Sequence, residues 1–311
     1  MRVPALHVAA TVRRRTRAVL GGIGLRLRVW GCRGSLPAPG ASKLRYGGDT
    51  SCVEVRLSDD TLVVLDAGTG IRELGATGEL ASASEVHLLL THLHMDHIEG
   101  LPFFSPLWRS DARIHVWGPP SPMLSLEERL QRYMSPPLFP IDLHDVPCNT
   151  TFHDLPNEPW VIGSATVRGI AVEHPGPTVG YRFDEHGSSF AYIPDHEPAA
   201  LGDFANEDPD WIDGFELAED VDVLMHDAQY TSEEYSSRRG WGHSSFVDAV
   251  AYANVTRTKQ LLLFHHDPTH DDTTLEEIER AAQDLWGPDG SPPTLAAAGM
   301  ELTLERAGAR A

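Results

Sequence analysis

Short apolar runs of leucine and β-branched residues recur along the chain, and each is four to eight residues long. Runs of this length, bounded by glycine, proline and polar residues, are typical of β-strands. The polar segment 184–187 separates two of them and predicts a β-hairpin. The predicted strands cover residues 25–30, 52–57, 62–65, 86–91, 114–117, 165–172, 180–183, 189–193, 221–225 and 260–264.

Helical periodicity is less frequent and falls mainly in the second half of the chain and after Pro122. Hydroxyl residues can cap two of these helices: Ser244 or Ser245 in the first, Thr273 or Thr274 in the second. The apolar face of the second helix is expected to contain Leu275, Ile278 and Leu285. Strands with interspersed helices predict an α/β (α+β) fold.

Two segments show neither pattern. Residues 133–159 contain six prolines and are predicted to form a long ordered loop, of the kind that often has a function. Residues 1–24 are rich in arginine but are not followed by an apolar stretch long enough for a signal. We expect them to be a disordered extension, and residues 25–311 to form a single domain.

Composition and charge narrow the class of protein. The 311 residues are 41% hydrophobic and 23% charged, which is typical of a globular protein, and no apolar run is long enough to span a membrane. The net charge of −20 disfavours binding to extended nucleic acid, because a polyanion is repelled. A small anionic substrate is still compatible with this charge, since bound metal ions dominate the local field.

The three cysteines, Cys32, Cys52 and Cys148, are too few and too scattered for a disulfide framework or a cysteine-rich zinc site. This favours a reducing, cytoplasmic location. The sequence leaves the oligomeric state open, a homodimer included.

Four side chains of metal-ligand type follow directly on the apolar strand 86–90. They are His92, His94, Asp96 and His97. Imidazole and carboxylate groups bind zinc, manganese or iron, and a strand end allows these side chains to converge. Two simpler interpretations are polar loop histidines and a single structural zinc site.

The pattern His-x-His-x-Asp-His resembles the signature of the metallo-β-lactamase superfamily, and the similarity extends from about residue 27 to the end of the chain. Segments 30–37 (WGCRGSLP) and 47–52 (GGDTSC) resemble the branch of phosphoribosyl cyclic phosphate phosphodiesterase and, more distantly, ribonuclease Z. The resemblance implies a four-layer αββα sandwich with its site at one edge, between the sheets.

The resemblance also implies the remaining metal ligands: His174, Asp195 and His265. Each stands at the end of a predicted strand, although a lone histidine there is more often a hydrogen-bonded core or loop residue. His265 is preferred to His266 because it follows the apolar run directly. One ion would take His92, His94, His174 and Asp195, and the other Asp96, His97, Asp195 and His265.

Three further residues are assigned catalytic roles beside Asp96. Asp66 is expected to orient a ligand imidazole through a hydrogen bond. By resemblance, Asp227 would orient His243, which would protonate the leaving oxygen. The simpler interpretations are strand-end turns for Asp66 and Asp227, and a helix-start residue for His243.

These residues predict a hydrolase with two divalent ions, zinc being expected and manganese, iron or nickel being alternatives. A hydroxide bridging the ions would cleave a small cyclic or linear phosphodiester. Ribonuclease Z itself is a poor match, because the stretch 175–194 holds one hairpin and no tRNA-gripping arm. The alternatives are hydrolysis of a thioester, lactone or β-lactam, and a metal-binding sensor without turnover.

Overall fold

The computed structural model describes residues 24–77, 83–198, 204, 207–287 and 291–305. The strands are β1 (Leu25–Gly31), β2 (Cys52–Arg56), β3 (Leu62–Leu65), β4 (Glu85–Leu89), β5 (Arg113–Gly118), β6 (Asn149–Asp154), β7 (Trp160–Ile162), β8 (Ala165–Ala171), β9 (Val179–Glu185), β10 (Ser188–Ile193), β11 (Val223–Asp227), β12 (Gln260–Phe264), β13 (Ser291–Leu295) and β14 (Glu301–Leu304). The α-helices are α1 (Gly70–Gly75), α2 (Met95–Ile98), α3 (Leu126–Gln131), α4 (Phe215–Ala218), α5 (Ser232–Arg238), α6 (Phe246–Val255) and α7 (Asp272–Leu285).

The strands form two seven-stranded sheets, in the orders β14-β1-β2-β3-β4-β5-β6 and β13-β12-β11-β10-β9-β8-β7. Apolar side chains of both sheets, such as Val55 and Phe183, share one core between them. A second apolar cluster joins the second sheet to α4, α6 and α7, and a third joins the first sheet to α1, α2 and α3. The layers are therefore helix, sheet, sheet, helix, which confirms the predicted αββα sandwich.

Parallel pairing determines where the functional loops lie. Strands β3, β4 and β5 run parallel in the first sheet, and β10, β11 and β12 run parallel in the second. The carboxyl ends of parallel strands lie at the same edge of a sheet, and ligand sites typically lie outside that edge. The loops that follow β3, β4, β10, β11 and β12 can therefore contribute to one site.

The ten predicted strands are all present, and the 184–187 hairpin is a tight turn at His186 and Gly187, both with positive φ. The predicted loop 133–159 is wrong in part, because it contains β6, an edge strand whose alternating residues are mostly polar. The sequence pattern also missed β7, β13 and β14. All three lie at sheet edges and are only three to five residues long, and β13 also contains two prolines.

Ser245 caps α6, which was one of the two predicted residues. The predicted cap of α7 is wrong: Asp271 caps this helix, and its carboxylate accepts hydrogen bonds from the Thr274 amide and hydroxyl. Leu285 was assigned to the buried face of α7 and is exposed instead. The predicted extension 1–24 lies outside the described residues, except for Gly24. Of the helices in the described ranges, none has the length and hydropathy needed to cross a membrane.

Candidate metal centre

The structure brings all seven predicted ligand side chains together at the carboxyl edge of the two sheets. His92 and His94 follow β4, and Asp96 and His97 belong to α2. His174, Asp195 and His265 follow β8, β10 and β12, respectively. We call these residues the metal cluster: His92, His94, Asp96, His97, His174, Asp195 and His265.

His92, His94 and His174 form the first group, and their ligand atoms all lie within 4.8 Å of one another. His174 Nε2 lies 3.2 Å from His94 Nδ1, and the His92 ring centroid lies 4.8 Å from that of His174. His92 and His174 are buried, whereas His94 is exposed and opens the group to solvent.

Asp96, His97, Asp195 and His265 form the second group, and all four are buried. His265 Nε2 lies 3.3 Å from His97 Nε2 and 3.2 Å from Asp96 Oδ2. Four ligands around a tetrahedral zinc at 2.0–2.1 Å would stand about 3.3 Å apart. The observed separations fit such an ion.

Asp195 lies between the two groups. Its Oδ1 is 3.0 Å from His97 Nε2 in the second group. Its Oδ2 is 3.7 Å from His174 Nε2 and 3.8 Å from His92 Nε2 in the first. One carboxylate thus faces both groups, which is the position that a bridging ligand requires.

Outer hydrogen bonds fix the orientation of three imidazoles. His97 Nδ1 donates to Asp66 Oδ2 at 2.8 Å, and His265 Nδ1 donates to Gln229 Oε1 at 3.1 Å. His174 Nδ1 donates to the Gly242 carbonyl at 2.7 Å. Because each ring donates from Nδ1, its Nε2 lone pair is left for a metal ion, a common arrangement around protein-bound metals.

Asp66 connects this outer shell to the sheets. It is fully buried after β3, with a positive φ of 58°. Its carboxylate accepts hydrogen bonds from His97, from the Thr91 amide and hydroxyl, and from Tyr192 Oη. Asp66 therefore accepts hydrogen bonds from residues of both sheets, and it holds His97 in one rotamer.

The charges of the cluster suit a cation. Burial lowers the pKa of His97, but the nearby carboxylates of Asp195, Asp96 and Asp66 raise it by more, to well above its ordinary value. Carboxylates converging on one buried point favour positive charge there. His92 Nε2 is also buried without a hydrogen-bond partner among the described residues. The donor set and this unpartnered nitrogen both fit divalent ions.

His243 lies next to both groups. Its ring centroid is 5.0 Å from that of His174 and 4.9 Å from that of His265. Its Nδ1 donates to Asp227 Oδ2 at 2.7 Å, which leaves Nε2 free for a substrate. Burial lowers the pKa of His243, but Asp227 raises it by more, to about 9.

A buried carboxylate holds the loop that precedes His243. Glu197 Oε1 accepts from the Gly240 amide at 2.7 Å, and Oε2 accepts from the Gly242 amide at 2.6 Å. Glu197 Oε1 also accepts from Tyr235 Oη at 2.9 Å. Both glycines have φ values near +90°, which other residues rarely adopt, so the loop depends on them.

Glu197 and Gln229 were not predicted, since neither belongs to a recognisable metal motif. A signal for Glu197 was its position two residues after Asp195. The structure also places His266 away from the cluster: its Nε2 donates to the Ala296 carbonyl at 2.8 Å. His265 is the histidine that faces Asp96 and Asp195.

A second group of histidines lies on β4, β5 and β6, and we call it the histidine ladder: His87, His115 and His153. The His115 ring stacks between those of His87, at 4.9 Å, and His153, at 5.3 Å. His115 Nδ1 and His153 Nε2 are 3.1 Å apart, and Trp117 Nε1 donates to His87 Nδ1 at 3.4 Å. The carboxylate of Glu85 lies 3.6 Å from His87 Nε2 and 3.8 Å from His115 Nε2.

Comparison with known proteins agrees with this architecture. The model of the "Beta-lactamase superfamily domain" matches residues 61–266, which is more than half of the chain. A ribonuclease Z of Porphyromonas gingivalis is 23% identical over 310 residues, covering 84% of this chain and 94% of that protein. An uncharacterized protein of Mycobacterium tuberculosis is 30% identical over 278 residues, covering 86% of this chain and 89% of its own.

Solved structures share the fold. The metallo-β-lactamase fold protein YhfI of Bacillus subtilis superposes with a TM-score of 0.66 at 16% identity, covering 90% of this chain and 99% of YhfI. A diphosphatase of the PhnP family superposes with a TM-score of 0.62 at 20% identity, covering 91% and 98%. The chain therefore belongs to the β-lactamase superfamily and is a metal-dependent hydrolase of the metallo-β-lactamase fold.

Proposed function

We propose that this protein uses two divalent ions to hydrolyse a small cyclic or linear phosphodiester. His92, His94 and His174 would hold one ion, and Asp96, His97 and His265 the other, with Asp195 shared. Zinc is the expected metal, since imidazole and carboxylate groups at these separations suit it, and manganese, iron or nickel are alternatives.

The observation that carries the proposal is the Asp227–His243 pair beside the metal cluster. Hydrolysis of a phosphodiester expels an alkoxide, which a positioned acid helps to leave, typically by about 10²–10⁴-fold. His243 is fixed by a 2.7 Å hydrogen bond to buried Asp227, and its free nitrogen is Nε2. The cluster and the acid therefore supply the two functions that this reaction needs.

The ions, when bound, would lower the pKa of a water molecule and offset negative charge on the phosphoryl oxygens. The protein's own residues orient the acid and transfer the proton. Asp227 accepts from Nδ1 of His243 and holds the ring in one orientation, so the protonated ring carries its transferable proton on Nε2. His243 gives this proton to the leaving oxygen, and Asp227 stabilises the charged ring before transfer. Glu197 fixes the preceding glycine loop, and hence the position of His243.

Two observations support a small substrate. The chain between His174 and Asp195 is occupied by the hairpin of β9 and β10, which leaves no long arm to grip an RNA. The net charge of −20 also opposes binding to a long polyanion. The name of the Porphyromonas gingivalis relative agrees with phosphodiester chemistry, whereas these observations favour a smaller substrate here.

The test is elemental analysis of the purified protein, followed by turnover of bis(p-nitrophenyl) phosphate and of a thioester by the wild type and His243→Ala. We expect about two ions per chain and phosphodiester turnover that falls about 10²-fold or more in the variant, with metal content unchanged. His144→Ala, on an exposed histidine, is the matched control. Equal losses on both substrates, or no loss, would remove the reason for choosing phosphodiesters.

We also propose a cytoplasmic location. Cys32, Cys52 and Cys148 are all free and buried, which agrees with a reducing compartment. The partner is proposed to be the small phosphodiester itself, in a monomer or a homodimer, without extended nucleic acid or a membrane.

A further inference from the structure

An open pocket of about 530 Å³ lies beside the first group of metal ligands. This volume falls within the range of pockets that hold a ligand of nucleotide size. His92 and His94 form one side, and the Pro175–Pro177 segment follows directly on His174. The other lining residues are Leu93, Ser121, Met123, Leu124, Arg129 and Arg132.

The charge of the pocket differs from that of the whole chain. The chain has 45 acidic and 25 basic residues, yet the lining contains two arginines and neither an aspartate nor a glutamate. An anion entering this pocket therefore meets positive charge close by, against the negative field of the protein. Low-dielectric walls strengthen such local attraction.

Arg129 and Arg132 are presented on one side of α3. They are three positions apart at its carboxyl end, a spacing that places side chains close together on a helix. Arg129 Nη2 donates to the Pro119 carbonyl at 2.6 Å and Nε to the Ser125 carbonyl at 3.3 Å, so its guanidinium is held in place. Arg132 is exposed and also lines the pocket.

Apart from the arginines, the two histidines, Ser121 and Gly176, the lining is apolar. Leu93, Met123 and Leu124 contribute this surface, together with the two prolines. A lining that combines two arginines, two histidines of the metal cluster and apolar side chains suits a substrate with a carbon framework and two anionic groups. One of these groups would be the scissile phosphodiester.

We propose that the substrate carries a second anionic group, such as a phosphate or carboxylate, which Arg129 and Arg132 bind while the diester lies on the metal cluster. This inference rests on the proposed function and specifies its substrate class. The arginines act as specificity residues, so they affect binding of the second anion more than the chemical step.

The test compares thymidine 5′-(p-nitrophenyl phosphate) with its 3′-phosphorylated form, which differ only in the second phosphate. The wild type is expected to show a kcat/KM about tenfold higher for the phosphorylated form, mainly through KM, as two partly screened charge pairs would give. Arg132→Ala should reduce this preference to about threefold, and Arg132→Lys should retain most of it. High salt should lower it in the wild type.

Arg113→Ala is the matched control, because this arginine is exposed on β5 and pairs with Glu85 outside the pocket. Hydrolysis of both thymidine esters at equal efficiency would overturn the second-anion proposal and leave the phosphodiesterase proposal standing. If neither ester is hydrolysed, the proposed function fails. The pocket is then tested by calorimetric binding of thymidine 5′-phosphate and thymidine 3′,5′-bisphosphate, where equal affinities would overturn the inference.

Discussion

The metal cluster and the histidine ladder are both rich in histidine, yet they are organised in different ways. In the cluster, Asp96 and Asp195 lie among the imidazoles. Outer acceptors bind the Nδ1 side of three rings and leave Nε2 facing inward. In the ladder the rings stack on one another, and the nearby carboxylate of Glu85 lies at their edge.

The difference teaches that residue type alone does not define a metal site. A ligand imidazole needs an acceptor behind it and negative charge in front of it, because the first fixes its tautomer and the second favours the cation. The ladder lacks this pairing, and burial lowers the pKa of His87 and His153. Four variants test this difference, in order of decreasing expected effect.

Asp195→Asn breaks the cluster at its shared carboxylate. The amide removes the negative charge between the two groups, so we expect loss of bound metal and a fall in turnover of at least about 10³-fold. Elemental analysis and bis(p-nitrophenyl) phosphate turnover measure both effects. Asp145→Asn, on an exposed carboxylate, should change neither. A variant that retained both ions and full turnover would show that Asp195 is not a ligand.

Asp66→Asn weakens the outer shell while leaving every ligand in place. Loss of the carboxylate that accepts from His97 should reduce metal affinity about 10–100-fold, the usual size of such effects. Competition with a chelator measures this change. Circular dichroism should show the fold retained, and an unchanged affinity would mean that Asp66 only stabilises the strand-end turn.

Glu197→Gln tests the loop rather than the metal. The Gly240 and Gly242 amides donate to different oxygens of Glu197, and a glutamine replaces one of these oxygens by an NH₂ donor, so one amide loses its acceptor. We expect kcat to fall about tenfold through misplacement of His243, with metal content unchanged. Glu233→Gln, on an exposed residue of α5, is the control. A fall in metal content alone would contradict this assignment.

His87→Gln tests the ladder. Burial and neighbouring His115 lower the pKa of His87 to about 4, below the 6.5 of an unfolded chain. The unfolded state therefore binds more protons, and stability from neutral His87 is complete above pH 6.5 and is lost as the pH falls toward 4. Between pH 7.5 and pH 5, the free energy of unfolding of the variant should fall by about 1 kcal/mol less than that of the wild type. This figure allows for solvent screening.

Urea unfolding at the two pH values measures this difference. His144→Gln is the control, because His144 is exposed and lies outside the ladder. Equal acid sensitivity in the wild type and His87→Gln would show that the ladder does not contribute to it.

Much of the fold could be predicted because buried strands carry a strong signal. Strands β3 and β12 match their predicted bounds, since each is an uninterrupted apolar run. Strand β6 was missed because an edge strand can be polar on most positions and is stabilised by pairing with β5. The local pattern of polar and apolar residues gives no information about that pairing.

The metal motif could be recognised for a similar reason, because four side chains of metal-ligand type occur within six residues at one strand end. The residues that support the metal cluster could not be recognised from a local motif. Glu197 and Gln229 act through contacts with Gly242 and His265, which lie 45 and 36 positions away in the chain. Only the folded backbone brings these partners together.

Gly242 has a consequence for regulation of the enzyme. Its carbonyl accepts from His174, a proposed metal ligand, and the next residue along the chain is His243, the proposed acid. A displacement of His174 would therefore reach His243 through one peptide unit. If an ion binds His174 as proposed, its binding would also affect the position of the acid.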